Sequence, residues 1–122
     1  MKELTHLQLI VPQELSSTGN DTGVDTQDMM EAGYGRNFKA ILDVGASTGT
    51  TPTLDVKIQE SDALGSGYAD ISGAVFTQAT DATQEEIHFV ARKRYLRTVH
   101  TLGGTTPVFP TSCILIGTKR QP

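Results

Sequence analysis

Apolar side chains recur at every second position in several stretches of this chain, separated by turns rich in Gly, Ser, Asn and Asp. A period of two marks a strand with one face in a core and the other in water. Leu7, Leu9 and Val11 share one face of a first strand, which Pro12 is expected to end. Phe38, Ala40, Leu42 and Val44 form a second set, Leu54, Val56 and Ile58 a third, and Ile87, Phe89 and Ala91 a fourth. Farther on, Tyr95, Arg97, Val99 and Thr101 alternate with Leu96, Thr98 and His100, and Val99 is assigned to the core side. The run 111–117 (TSCILIG) reads as a strand buried on both faces or lying at an interface. Turn signals fall at 17–21, 45–49, 64–67 and 102–104. The pattern predicts one all-β domain over 1–122, an antiparallel β-sandwich of jelly-roll type. Its expected core is Phe38, Leu42, Val44, Val56, Ile58, Ile71, Phe89, Val99 and Leu115. Residues 12–36 read as an extended arm and 118–122 as a tail. Within the arm, 25–32 is a loop or one short turn; the polar stretch 78–86 is a surface loop. No repeat of 20–50 residues indicates a solenoid or propeller.

Composition narrows the class. A chain of 122 residues fits a single domain with a real core. The 17 Thr and 12 Gly suit pleated surfaces and the turns between them. No apolar run reaches the length of a membrane helix, and no apolar stretch follows Met1–His6 as in a secretory signal. A net charge of −4 argues against non-specific binding to nucleic acid. That charge is unevenly placed: all 14 acidic residues lie in 1–86, while 87–122 hold six of the 10 basic ones and no acid. Either late strands pair with early ones and neutralise them, or the late basic stretch forms a face for a partner.

Little of the chain reads as catalytic. His6, His88 and His100 accompany no nucleophile signature. Cys113, the only cysteine, sits inside an apolar strand as a structural thiol. The segment 45–49 lacks the spacing and Lys of a phosphate-binding loop. Glu60, Asp62 and Asp70 flank one turn in an order that matches no calcium loop, and Asp43 and Asp55 would meet across a hairpin on its solvent face. The stretch Arg92-Lys93-Arg94-Tyr95-Leu96-Arg97 suits a strand end or a protein contact rich in Arg and Tyr. No cofactor, metal or catalytic residue is expected, and the chain is not expected to be an enzyme.

Several segments, in order, resemble the small head-associated proteins encoded beside the major capsid protein of tailed phages and prophages. They are Gly23-Val24-Asp25-Thr26-Gln27, Phe38–Gly45, Leu54–Asp62, Lys93–Arg97 and Ile114–Gly117. The sequence departs from that pattern after Gln27, where Asp28-Met29-Met30-Glu31-Ala32 replaces an early glycine. The resemblance implies a capsid decoration, or cement, protein made in the bacterial cytoplasm and carried on the capsid exterior. Its partners would be the major capsid protein and its own copies, as a trimer, with no direct nucleic-acid or membrane contact. Interface residues would be Asp25, Thr26 and Gln27 of the arm, Arg92, Arg94 and Arg97 of the basic stretch, and the apolar Val108 and Phe109. Another virion component at the tail or head–tail junction, or a jelly-roll carbohydrate-binding module, is the alternative; Tyr34, Tyr68 and Tyr95, without any Trp, give sugars little to stack on.

Overall fold

The computed structural model describes residues 4–27 and 36–118. Eight strands account for most of them: β1 (Leu4–Leu15), β2 (Gly19–Asn20), β3 (Val24–Asp25), β4 (Arg36–Val44), β5 (Thr48–Ser61), β6 (Ala69–Val75), β7 (Thr83–Ala91) and β8 (Tyr95–Thr118). All pairings are antiparallel. The result is an antiparallel sandwich of jelly-roll type, nearly closed into a barrel. The tail 119–122 and most of the expected turn at 25–32 lie outside the described residues.

The long strand β8 organises the molecule. Its C-terminal half runs between β1 and β4, with β7 beyond β4, and this is sheet A. Its N-terminal half runs between the short β2 and β3 on one side and β5 on the other, with β6 beyond β5, and this is sheet B. Leu9, Phe38, Ala40, Leu42, Phe89, Cys113 and Leu115 from sheet A meet Leu54, Val56, Ile58, Ile71 and Leu96 from sheet B in one core. The Phe38 and Phe89 rings lie 5.9 Å apart in a tilted pair. The crossover from β6 to β7 closes one side: Phe76 and Ala79 are buried, and Leu54 and Ala79 exchange two backbone hydrogen bonds of 2.8 Å. Eight of the nine expected core residues are inside.

The exception is Val99, which is only partly buried and points outward with Arg97. The parity of this half of β8 is set by its neighbours: Lys57 pairs with Val99 and Gln59 with Arg97, so that face takes the water. Leu96 and Thr98 turn inward instead, both at 0% exposure. Pro12 does not end β1. The strand is at an edge and shifts register twice between Gln8 and Gln13, which absorbs the missing donor and leaves Val11 61% exposed.

The expected turn at 102–104 is inside β8, and Pro52 is inside β5. Here the sequence carries a short repeat: Gly49-Thr50-Thr51-Pro52 lies opposite Gly104-Thr105-Thr106-Pro107, with Thr50 paired to Thr105. Gly49 and Gly104 have φ of 109° and 97°, and Thr51 and Thr106 have 45° and 48°. A side chain at Gly49 would come within 2.6 Å of the Thr106 carbonyl, and one at Gly104 within 2.5 Å of the Thr51 carbonyl. The same irregularity on both strands lets the ribbon bend as a unit where β8 passes from one sheet to the other.

Candidate interaction surfaces

Three surfaces are built from side chains that the fold does not need for its core. The first is the outer face of sheet B. Pairing of Gln59 with Arg97 and of Asp25 with Tyr95 sets these residues side by side facing water. Arg97 Nε donates to Gln59 Oε1 at 2.9 Å, and its guanidinium lies 4.2 Å above the Tyr68 ring. Tyr68 donates its hydroxyl to the Leu64 carbonyl at 2.9 Å, so the loop 62–68 folds back onto the sheet. Gln59 Nε2 and Lys57 Nζ both donate to Asp70, at 2.8 and 3.1 Å, and these bonds, Gln59 first, hold its carboxyl below the usual range. Arg94 grips Asp25 with two parallel bonds of 2.8 and 2.5 Å and lies 5.0 Å over Tyr95.

The arm is fastened alongside. Thr26 is fully buried and gives both its N–H and its hydroxyl to the Arg94 carbonyl, at 3.0 and 2.6 Å. Asp25 Oδ1 also accepts the Gln27 N–H at 2.9 Å. Asp21 Oδ1 accepts from the N–H and hydroxyl of buried Thr98 at 2.6 and 3.0 Å. Burial pushes the Asp21 carboxyl above its ordinary value, outweighing the hydrogen bonds that would lower it. Gly23 has φ 97°, and a side chain there would lie 2.6 Å from the Tyr68 hydroxyl. The arm residues Asp25, Thr26 and Gln27 are thus brought together with Arg94, within their own chain.

The second surface is the turn 92–94. Glu60 Oε1 accepts the Arg92 and Lys93 N–H groups at 2.8 and 3.2 Å, leaving the Arg92 side chain exposed. Much of the late basic charge meets early acid: Arg94 with Asp25, and Lys93 with Asp62 at 3.9 Å. The neutralising reading of the charge asymmetry therefore accounts for Lys93 and Arg94, while Arg92 stays exposed.

The third surface is the outer face of sheet A, where alternation along β4, β7 and β8 turns Ile41, Val90, Ile114 and Ile116 away from the core. The apolar run 113–116 is therefore half core and half surface, with Cys113 and Leu115 at 0% exposure. Phe109 is not at a surface at all: it is fully buried, and its neighbour Val108 is partly buried. The bend between the sheets points Phe109 into the core they share.

Burial pushes the Cys113 thiol up to about 12, so the thiol form is held at neutral pH. Glu60 accepts from the Arg92 and Lys93 N–H groups, Asp62 pairs with the Lys93 side chain and Asp70 with Lys57 and Gln59, and no group of three metal-ligating side chains occurs among the described residues. Asp43 and Asp55 do not meet, because β4 and β5 each pair with β8 and not with each other. His88 bonds Glu86 at 2.9 Å on the solvent face. No helix among the described residues is long and apolar enough to cross a membrane. Reading the sequence missed Asp21, Gln59 and Lys57 as organisers of the sheet B surface. The signal lay in the alternation of 57 and 59 against 97 and 99, legible only once the strand register is known.

No protein-family model matches the sequence, and no curated protein matches it. Solved structures do. The SPBc2 prophage-derived protein YomS aligns over 96% of this chain and 96% of its own, with TM-score 0.58 and 12% identity. The VP2 subviral particle of infectious bursal disease virus aligns over 97% of this chain with TM-score 0.60 and 10% identity; the chain spans about a third (32%) of that protein. The CBM22-1 xylan-binding domain of Paenibacillus barcinonensis Xyn10C aligns over 98% of this chain and 87% of its own, with TM-score 0.51 and 11% identity. At these identities the shared property is the fold.

Proposed function

We propose that this chain is a non-enzymatic virion structural protein that binds and stabilises a phage head from outside, with the major capsid protein as its partner. One observation carries the reading: most of the chemically distinctive side chains are engaged in holding the sandwich, while a partly apolar sheet surface is left outward. Asp21, Asp25, Glu60, Arg94 and Arg97 each fasten an arm, a turn or a strand. A rigid block of that kind is what a lattice of many modest contacts needs. The likeness in fold to a prophage-derived protein over 96% of both chains supports the reading.

Exposed Arg92, at the tip of its turn, is the group best placed to steer attachment to an acidic capsid surface. Arg94 and Arg97 serve less well as surface probes, since both are engaged within the chain and reversing Arg94 would set two acids together and remove one tie between the arm and β8. Cosedimentation of the purified protein with heads lacking it, followed by heating, tests the proposal. Binding with a raised particle melting temperature is expected, and Arg92→Glu should slow binding. Heads that neither bind the protein nor gain stability would refute it. The sugar-binding alternative has less support, because Arg97 covers a face of Tyr68 and Arg94 lies over Tyr95.

A further inference from the structure

The outer face of sheet A carries a pattern beyond its apolar residues. Register places its outward side chains in rows across the strands. One row is His88, Lys39, Ile116 and His6; the next is Glu86, Ile41, Ile114 and Gln8; the third is Gln84, Asp43 and Ser112. Along the strand direction the first row thus carries Lys39, the middle row two isoleucines flanked by Glu86 and Gln8, and the third row Asp43. Asp43 is exposed and makes no polar contact with another described side chain, and Lys39 reaches Glu86 only at 3.6 Å.

We propose that this face is where a second copy of the chain docks, in a two-fold symmetric dimer packed sheet on sheet. The polarity selects the geometry. A dyad lying in the contact plane and crossing the strands at Ile41 and Ile114 exchanges the first and third rows. Lys39 of each copy then faces Asp43 of the other, His88 faces Gln84, and the isoleucines meet at the centre. A dyad along the strands would set the Lys39 row against itself and is disfavoured. Each Glu86 approaches its mate with its own Lys39 and His88 beside it, at 3.6 and 2.9 Å. Face-to-face sheets about 10 Å apart place outward side chains of both copies in contact. This inference stands apart from the attachment to a phage head, since it concerns the isolated protein, and it differs from the trimer that the family resemblance implies.

Analytical ultracentrifugation of the full chain tests it, with circular dichroism checking that each variant is folded. The wild type is expected to sediment as a dimer in reversible equilibrium with monomer. Ile114→Lys should weaken the dimer by about 100-fold or more, and Lys39→Asp and Asp43→Lys by about tenfold each, each tenfold being about 1.4 kcal/mol. The double variant Lys39→Asp/Asp43→Lys should dimerise more tightly than either single variant, because each copy then carries the exchanged pair, while the new carboxylate beside Glu86 keeps it short of the wild-type constant. If Ile114→Lys does not fold, the charge series decides alone. A chain that stays monomeric at millimolar concentration, a different oligomer, an oligomer indifferent to Ile114→Lys, or a double variant no tighter than the singles would overturn the proposal.

Discussion

Asp21 illustrates what a single residue does here. It lies in the arm, yet its carboxylate is the acceptor for both donors of Thr98, a polar residue at 0% exposure in the core side of β8. Buried donors must be matched, and removing an acceptor leaves their full desolvation cost. Asp21→Ala should therefore destabilise the protein by about 1–3 kcal/mol in urea unfolding. Asp21→Asn keeps the amide oxygen toward Thr98 and removes the charge that burial penalises, so it should leave stability at neutral pH unchanged or raised. A loss with Asn equal to that with Ala would show that the charge itself is needed.

At the scale of elements, the paired Gly-Thr-Thr-Pro segments turn β5 and β8 together from one sheet toward the other. Each glycine sits in a left-handed conformation against the opposite strand's carbonyls, and each second threonine takes a positive φ that a β-branched residue adopts only under constraint. Gly104→Ala should cost more than the roughly 1 kcal/mol typical of a glycine needed for its φ alone, because the new methyl also meets the Thr51 carbonyl. Thr106→Asn should be neutral or stabilising by up to about 1 kcal/mol, since Asn accepts the left-handed region. Thermal melts of the two variants check this, and a destabilising Thr106→Asn would mean that the threonine side chain matters more than the strain it bears.

For the whole molecule, acid response is a balance of carboxylates with opposite shifts. Asp70, held by Gln59 and Lys57, and Asp81, held by the Ser47 N–H, both lie below their ordinary value of 3.8. They contribute stability that is present above pH 3.8 and lost as pH falls through their lower folded values. Asp21 is raised, so its contribution is present below 3.8 and lost as pH rises through its higher folded value. The melting-temperature difference between Asp21→Asn and wild type should therefore be more favourable to the variant at pH 7 than at pH 3. A difference that does not change with pH would place the Asp21 carboxyl in water.

Much of the fold was legible in local pattern. The period-two sets at 38–44, 54–58 and 87–91 identified strands and most of the core, because alternation follows from the backbone pleat and needs no knowledge of partners. The segment 95–101 shows the limit: both of its faces carry apolar residues, so alternation alone puts Val99 inward, and only pairing with Lys57 and Gln59 decides the parity. Turn signals also misled where a bend replaces a turn. Gly103 and Gly104 read as chain reversal, but the repeated tetrapeptide on β5 bends in step and keeps β8 continuous. Of the candidate surface residues, Asp25, Arg94 and Arg97 were visible as charges, yet their pairing with one another and with Gln59 and Tyr68 spans up to 69 positions in sequence. By itself the sequence determined strand content, most of the core and the burial of the lone thiol. Tertiary structure alone decided which charges neutralise each other, that Phe109 is core, and that three isoleucines share an outward sheet, because those depend on register between strands far apart in the chain.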